Sequence, residues 1–218
     1  MTAANVLYRG DSLDELTPGD VNKLTERGLR TVIDLRSDFE RQGPPDWTAQ
    51  SGVGYRHMPL FDLTGEAAAG IRTNIVSDVS AAYREMLVLA APAVAEIAAV
   101  IADDHTDGVT VVHCAAGKDR TGIVIGVLLL AVGVQPDSVV SDYLATGERL
   151  TLVRAALARR GVYGQPTAPL PPFDAEPIES IVAVLQHEHG GADRFLLKAG
   201  LPGDALEALS RRLLAQPG

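Results

Sequence analysis

Cysteine is almost absent from this chain of 218 residues, in which Cys114 stands alone. No disulfide can therefore form within the chain, and this composition fits a reducing compartment. The five histidines predict no metal site either, because His187 and His189 lie two positions apart and point to different sides of a helix. We expect no metal and no cofactor.

The sequence also lacks the segments that direct a protein to a membrane or anchor it there. Residues 1–9 contain no positively charged start followed by an apolar stretch, so we expect no signal peptide. Residues 122–134 form the longest apolar stretch, which is too short to span a bilayer. We expect a cytoplasmic protein without a stable membrane anchor, and export without a signal peptide stays open.

Basic residues are outnumbered, with 19 Lys and Arg against 28 Asp and Glu and a net charge of −9. This balance argues against nucleic acid as a partner, because binding to a phosphate backbone usually needs a basic surface. Any phosphorylated ligand would have to be attracted locally, since the overall field of the protein opposes it. A short, strongly cationic pocket is therefore the feature to expect.

The alternation of strand and helix patterns predicts an α/β fold with a mostly parallel central sheet flanked by helices. The apolar, β-branched run at residues 109–112 suits a central strand. A long helix is expected over residues 76–102, with a kink or break near Pro92. The remaining strands are predicted at residues 5–8, 31–35 and 55–60, and further helices at 122–134, 136–145, 149–160, 177–187, 191–199 and 204–214.

The length and the 46% hydrophobic composition fit a single domain over residues 1–218. We expect residues 62–90 to form a helical lid insert that begins in a small, polar and poorly periodic stretch. Residues 161–172 are rich in Pro and Gly and are linker-like. Residues 173–218 beyond them predict a helical C-terminal part that is too small for a core of its own.

The segment with chemical potential follows the predicted central strand. There a buried strand ends at Cys114, five residues intervene, and Arg120 precedes a buried helix. A loop that closes onto a helix N-terminus aims several backbone N–H groups at one point, which suits a dianion. The small residues Ala115, Ala116 and Gly117 let that backbone wrap closely around a phosphate.

Arg120 adds a planar fork that matches two phosphate oxygens, and the loop N–H groups stabilise a thiolate at Cys114. Thr121 can supply a hydroxyl donor to the same sulfur. A lone cysteine after a buried strand is usually an inert core residue, but the arginine and the small-residue loop favour a nucleophile. The loop therefore predicts nucleophilic catalysis with an electrostatic cradle for the transition state.

A nucleotide-binding loop of the Walker type is the obvious competitor because Gly117 precedes Lys118. Val112 stands where that pattern needs its first glycine, and Asp119 stands where Ser or Thr should follow the lysine. The Walker interpretation is therefore excluded.

Residues 113–122, HCAAGKDRTG, resemble the signature loop of the cysteine-dependent protein tyrosine phosphatases. More narrowly, they are similar to the bacterial broad-specificity branch that acts on phosphotyrosine, phosphoserine/threonine and phosphoinositides. The similarity extends to residues 8–10, 31–37 with Glu40, 55–62 and 195–214, so it covers nearly the whole chain. The resemblance implies a protein-tyrosine-phosphatase-like fold and hydrolysis of phosphate monoesters.

By resemblance, Cys114 attacks phosphorus, a carboxylic acid protonates the leaving oxygen, and water then hydrolyses the cysteinyl-phosphate. In this branch Lys118 is associated with phosphoinositide binding and Asp119 with acid catalysis. The chain lacks a Trp-Pro-Asp loop, and residues 45–47, which carry those letters in a different order, predict an ordinary turn. The residues expected to hold the phosphate are Arg120 and the loop members Ala115, Ala116, Gly117, Lys118, Thr121 and Gly122.

Five further polar residues are candidates for supporting roles. His113 either bonds backbone near Cys114 or is a plain core histidine. Asp34 and Arg36 end a neighbouring strand, where ligands gather in an open α/β sheet, and they either support the loop or merely pair with each other. Arg9 is a weaker candidate of the same kind, and Asp62, which precedes the predicted lid, is the alternative general acid.

Two other functions compete with a phosphatase. A phosphate-binding module without turnover would not need the intact Cys114, Asp119 and Arg120. A rhodanese-type sulfurtransferase also uses a cysteine in a cradle loop, but the run from Lys118 to Gly122 favours a phosphatase. The sequence does not identify the physiological substrate, phosphoprotein or phosphoinositide, nor the oligomeric state.

Overall fold

A central parallel sheet organises the chain. The computed structural model describes residues 2–41, 43–62, 64–103, 108–160 and 172–215. In these residues a four-stranded sheet has the order β1-β4-β2-β3, and every neighbouring pair is parallel. The predicted α/β fold is confirmed, and all strands end at the same edge of the sheet. The strands are β1 (Leu7–Gly10), β2 (Leu29–Asp34), β3 (Gly54–His57) and β4 (Val109–His113).

Helices cover both faces of the sheet. Short 3-10 turns at Asp38–Glu40, Glu66–Ala68 and Ala145–Arg149 connect some of them. The α-helices after residue 135 begin and end within one residue of their predicted bounds. The helices are α1 (Pro18–Glu26), α2 (Thr48–Ser51), α3 (Ala69–Ser77), α4 (Val79–Ala102), α5 (Asp119–Ala131), α6 (Pro136–Leu144), α7 (Leu150–Arg160), α8 (Glu176–His187), α9 (Ala192–Lys198) and α10 (Gly203–Leu213).

The main core lies on the face of the sheet that α4, α5, α8, α9 and α10 cover. A smaller cluster on the other face joins the sheet to α1 and to the turn at residues 45–47, where Trp47 Nε1 donates to the Leu13 carbonyl at 3.0 Å. Helices α8 to α10 pack on α4 and α5, so the helical C-terminal part shares the main core. The predicted linker at residues 161–171 lies outside the described residues.

Of the kink or break expected near Pro92, the break does not occur. Helix α4 continues through Pro92. Proline removes the hydrogen bond to the carbonyl four residues earlier, that of Val88. Val88 is 65% exposed and Pro92 is also exposed, so water can solvate that carbonyl. The helix therefore survives at low cost.

The same helix corrects the expectation that residues 122–134 are the longest apolar stretch. Helix α4 has 24 residues and a mean hydropathy of 2.0 over its most apolar window, values typical of a membrane span. Half of that window is buried within the fold, where α3, α8 and α10 pack against the helix. These contacts are those of a core helix.

The predicted lid over residues 62–90 divides between two kinds of structure. Residues 66–77 form a 3-10 turn and α3, with Ile71 buried against the core. From Val79 the chain belongs to α4, in which Tyr83 and Leu87 are completely buried. The second half of the range is therefore a core element, and movement of residues 64–77 stays a prediction.

Candidate active site

The loop between β4 and α5 is anchored to the end of β1. Gly117 has φ +63°, and a Cβ there would lie 2.5 Å from the Gly10 carbonyl oxygen, so only glycine fits this close approach. The Ser12 N–H donates to the Ala115 carbonyl at 3.3 Å. Cys114, 2% exposed, lies at the start of this loop. The packing against β1 fixes the backbone that follows the cysteine.

Arg120 is held by a carboxylate from a distant loop. Its two terminal nitrogens each donate to one oxygen of Glu40 at 2.5 Å. Glu40 is itself fixed, because the Ser37 N–H and hydroxyl donate to its Oε2 at 3.0 and 2.9 Å. Arg120 Nη1 also lies 3.5 Å from the Leu35 carbonyl. These contacts pre-orient the guanidinium beside the loop.

Glu40 belongs to the segments that carry the family resemblance, but no role was predicted for it. Its local signal is the spacing from Ser37, which gives a capping box around a 3-10 turn. That pattern predicts the turn, but nothing local to it predicts the partner Arg120, 80 residues further along the chain.

Asp34 and Arg36 form a buried network beside the loop. Arg36 Nη2 lies 2.7 Å from Asp34 Oδ2, so the two residues pair with each other. Arg36 also donates to Asp14 Oδ2 at 2.6 Å and to the Ser12 hydroxyl at 3.0 Å. Because the Ser12 N–H bonds the Ala115 carbonyl, the pair is also connected to the loop. Both predicted arrangements therefore occur together.

The charges of this network persist at neutral pH. Burial opposes ionisation of Asp34, but the hydrogen bonds from Arg36 and Tyr55 and the nearby charges together outweigh burial and lower the pKa of Asp34 to about 2. Burial likewise acts against the charge of Arg36, but the hydrogen bonds that Arg36 donates to Asp34 and Asp14 raise the pKa of Arg36. Tyr55 adds a hydroxyl donor to Asp34 Oδ2 at 2.6 Å. The network is a permanently charged, rigid support.

His113 is completely buried directly before the cysteine. Its Nδ1 donates to the Cys114 carbonyl at 3.2 Å, and its Nε2 lies 3.8 Å from Asp34 Oδ2. Burial lowers the pKa of His113, and Asp34 only partly offsets that effect. A neutral imidazole that bonds the backbone matches the first of the two predicted alternatives.

Asp119 begins α5 and lines the cleft that contains Cys114. Its Oδ1 lies 3.0 Å from Lys118 Nζ and accepts from the Tyr83 hydroxyl at 2.7 Å. Asp62 is exposed, is not among the residues that line this cleft, and accepts from the Thr64 N–H and hydroxyl. The structure therefore brings Asp119, and not Asp62, to the cysteine.

The cleft has a volume of about 260 Å³. The loop contributes a thiol, a carboxylate and two cations, and α7 contributes Arg154. Apolar side chains from α3, α4 and α7 also line the cleft. Phe173 closes one side, with its ring centroid 5.8 Å from Lys118 Nζ. The residues that line the cleft include Cys114, Lys118, Asp119, Arg120, Val79, Tyr143, Val153, Arg154, Leu157 and Phe173.

Arg9 lies outside this cleft. Its Nε is 3.0 Å from Asp142 Oδ2, and its Nη1 donates to the Thr146 hydroxyl at 2.8 Å. Arg9 lines a neighbouring pocket of about 600 Å³, which shares Ala116 and Val153 with the cleft and includes Gly117 but not Cys114. Arg9 therefore ties β1 to α6 beside the loop.

Two loop residues differ from their predicted roles. Thr121 Oγ1 is buried and has no hydrogen-bond partner among the described residues, so the expected bond to the Cys114 sulfur is not formed. The Gly122 N–H donates to the Lys118 carbonyl at 2.8 Å within α5, so it is not available to a phosphate oxygen. A Cβ on Gly122 would lie 2.9 Å from the Tyr143 ring, which indicates a packing role instead.

No group of three or more potential metal ligands occurs within the part of the chain that the structure describes. The arrangement can nevertheless do chemistry. A buried thiol, an oriented guanidinium and a carboxylate meet in one cleft. This combination suits attack on an anionic centre with proton transfer to a leaving group.

Comparison with known proteins agrees with this geometry. The family model described as "Tyrosine phosphatase family" matches residues 1–215. A tyrosine-protein phosphatase from Nostoc commune is 28% identical over 222 residues, covering 96% of this chain and 74% of the relative. The triple specificity protein phosphatase PtpB from Mycobacterium tuberculosis is 27% identical over 186 residues, covering 70% of this chain and 64% of the relative.

Proposed function

Because the chain belongs to the tyrosine phosphatase family, and is a phosphomonoester hydrolase, we propose that it works through a cysteinyl-phosphate intermediate on Cys114. The observation that carries the proposal is the convergence of Cys114, Arg120 and Asp119 on one cleft. No other cysteine is present in the chain to serve as the nucleophile.

In the first step the Cys114 thiolate attacks phosphorus, a sulfur–phosphorus bond forms and the bond to the leaving oxygen breaks. Arg120, held by Glu40, binds two of the phosphate oxygens as charge shifts in the transition state. Asp119 gives its proton to the leaving oxygen. The alcohol or phenol departs neutral, and the enzyme keeps the phosphoryl group on sulfur.

In the second step water attacks the cysteinyl-phosphate, and Asp119, now a carboxylate, accepts a proton from that water. The sulfur leaves as a thiolate and inorganic phosphate is released. The enzyme returns to its starting protonation state, so the cycle needs no cofactor.

We infer that phosphotyrosine fits the cleft best, because an aryl ring can lie against Val153, Leu157 and Phe173 while the phosphate reaches Cys114. Phosphoserine/threonine and phosphoinositides belong to the same proposal, which places the chain in the broad-specificity bacterial branch. Two observations support it: the cations Lys118 and Arg154 line the cleft beside Arg120, and one relative has triple specificity in its name.

A substrate panel with a chemical trap tests the mechanism. Purified protein is mixed with ³²P-labelled phosphotyrosine peptide, phosphoserine peptide or phosphoinositide, quenched in acid and digested. We expect label on the peptide that contains Cys114, and no label or turnover in Cys114→Ser, which should still bind phosphate because the cradle is backbone plus Arg120. Turnover without label on sulfur would overturn the intermediate.

The same protein separates the two competing functions. Phosphate binding without hydrolysis of any substrate would identify a binding module. Formation of thiocyanate from thiosulfate and cyanide would identify a sulfurtransferase. Because the proposed thiolate works only when reduced, we also propose that the protein acts in a reducing compartment such as the cytoplasm.

A further inference from the structure

Only one of the two carboxylate oxygens of Asp119, Oδ1, has hydrogen-bond partners among the described residues. Oδ1 receives the Tyr83 hydroxyl at 2.7 Å and Lys118 Nζ at 3.0 Å. The structure gives Oδ2 no hydrogen-bond partner within the described residues. The two oxygens of Asp119 are therefore chemically distinct, although α5 alone would leave the side chain free to rotate.

The single hydroxyl hydrogen of Tyr83 fixes the directions of the two hydrogen bonds that this hydroxyl makes. A neutral tyrosine has a single hydroxyl hydrogen, and Tyr83 lies within 2.7 Å of both Asp119 Oδ1 and the Tyr143 hydroxyl. If Tyr83 donates to Asp119, then Tyr143 must donate to Tyr83. Burial raises the pKa of Tyr83 well above its usual value, and burial also raises the pKa of Tyr143, so both hydroxyls keep their hydrogens.

We propose that Tyr83 is a positioning residue for the general acid: it holds Oδ1 toward α4 and leaves Oδ2 to carry the proton to the leaving oxygen. Oδ1 already accepts from two donors, so a proton placed there would break one of these bonds. A proton on Oδ2 breaks none. The inference rests on the proposed role of Asp119 as the acid.

Tyr83 is suited to this role by its rigidity. It is completely buried on α4, where it belongs to the main core. Tyr143, on α6, is nearly buried and packs on Gly122 and on the Phe173 ring, whose centroid lies 5.1 Å away. A hydroxyl fixed by core packing orients its acceptor more sharply than a solvent-exposed donor does.

The test measures how each variant depends on the leaving group. Tyr83→Phe, Tyr143→Phe, the double variant and Asp119→Asn are compared with the wild-type protein on nitrophenyl phosphate and on phenyl phosphate. Nitrophenolate departs with little need of a proton, whereas phenolate needs one. General acid catalysis contributes about 10²–10⁴-fold, so misplacing the acid should lower the rate selectively for phenyl phosphate.

We expect Tyr83→Phe to lower kcat on phenyl phosphate by about tenfold or more and on nitrophenyl phosphate by less than about threefold, with KM nearly unchanged. Tyr143→Phe should show the same selectivity with a smaller loss. The double variant should lose about as much as Tyr83→Phe alone, because Tyr143 acts only through Tyr83. If Tyr83→Phe folds poorly, the double variant carries the same test without leaving a buried hydroxyl unpaired.

Equal losses on both substrates, or no loss on either, would overturn the role of Tyr83. Asp119→Asn separates this failure from failure of the proposed acid. Selectivity in Asp119→Asn without selectivity in Tyr83→Phe overturns only the positioning role. Uniform loss in Asp119→Asn would show that Asp119 is not the acid.

Discussion

Glu40 and Arg120 form a buried bidentate pair, in which each carboxylate oxygen lies 2.5 Å from one terminal guanidinium nitrogen. The two residues come from different elements, a 3-10 turn after β2 and the first turn of α5. Their contact aligns the plane of the guanidinium before any substrate arrives. Pre-orientation of this kind lowers the cost of binding a charge that shifts during the reaction.

Glu40→Gln should therefore impair catalysis and stability together. The amide keeps the shape of the side chain but can accept from Arg120 through one oxygen only, so the guanidinium loses a charged partner and its fixed plane. We expect kcat/KM on an aryl phosphate to fall by about tenfold or more, since a charge-assisted hydrogen bond contributes about 1.5–3 kcal/mol. Steady-state kinetics and thermal unfolding measure both effects.

Glu26→Gln, an exposed change on α1, is the matched control and should alter neither quantity. If Glu40→Gln keeps wild-type kcat/KM while the protein is destabilised, the pair has a purely structural role. In that case Arg120 finds its orientation from substrate alone.

This pair also marks the limit of what the sequence predicted. The strand, the loop and the buried helix around Cys114 are contiguous, so residue types and spacing were enough to predict β4, α5 and the cradle between them. Glu40, Tyr83 and Tyr143 reach the site from elements far along the chain. Local patterns predicted the helices that carry Tyr83 and Tyr143, but no local pattern encodes which faces of the elements meet in the fold.

The errors within the predicted site have local causes. Gly122 was assigned to phosphate binding because it belongs to the motif, but α5 already begins at Asp119 and uses the Gly122 N–H in the helix. Arg9 was the weaker candidate for supporting the loop or pairing with another residue. Its side chain pairs with Asp142 on α6.

The second prediction concerns substrates with more than one phosphate. Arg154 lines the cleft from α7, and Lys118 lines it from the loop, where its ammonium group also contacts Asp119. Arg154→Ala should lower kcat/KM on a phosphoinositide by about tenfold and on nitrophenyl phosphate by less than twofold, because only the larger substrate offers a second anionic group. Lys118→Ala should lower both, and the phosphoinositide more.

Arg149→Ala provides the control for this prediction. Arg149 is exposed and lines the neighbouring pocket without Cys114, so its removal changes the charge of the same region by the same amount. Equal losses from Arg149→Ala and Arg154→Ala would mean that the general field attracts the substrate, and that Arg154 makes no specific contact.

The third prediction concerns stability at low pH. The pKa of Asp34 falls from 3.8 to about 2 on folding. Burial alone would raise this pKa, but the hydrogen bonds from Arg36 and the other favourable contacts lower it. Between these values the unfolded chain binds more protons at Asp34 than the folded one does, so stability decreases as pH falls from about 4 to 2. A pKa difference of one corresponds to about 1.4 kcal/mol, so Asp34 contributes about 2 kcal/mol to the free energy of unfolding. This contribution is present above about pH 4 and is lost as the pH falls toward about 2.

Urea unfolding at pH 4.5 and at pH 2 measures this contribution. Asp34→Asn should show a smaller decrease in the free energy of unfolding between the two pH values than the wild-type protein, by about 2 kcal/mol. The exposed Asp46→Asn should leave the decrease unchanged. If the free energy of unfolding of Asp34→Asn decreases between the two pH values as much as that of the wild-type protein, another carboxylate causes the loss of stability in acid.

The last prediction concerns the identity of the general acid. Asp119 and Asp62 are the two candidates from the sequence, and the structure separates them by position. Asp119 lines the cleft with Cys114, whereas Asp62 lies on the surface with its carboxylate occupied by the Thr64 N–H and hydroxyl. For Asp62 to act, the chain after β3 would have to move toward the cleft.

Asp119→Asn should therefore cut kcat by about 10²-fold or more on phenyl or alkyl phosphates and much less on nitrophenyl phosphate, and it should erase the basic limb of the pH–rate curve. Asp62→Asn should leave both the rates and the curve close to wild type. The opposite pattern, with selective loss in Asp62→Asn and uniform loss in Asp119→Asn, would assign the acid to Asp62. Asp119 would then have a positioning role only, in which its Oδ1 holds Lys118 and binds the Tyr83 hydroxyl.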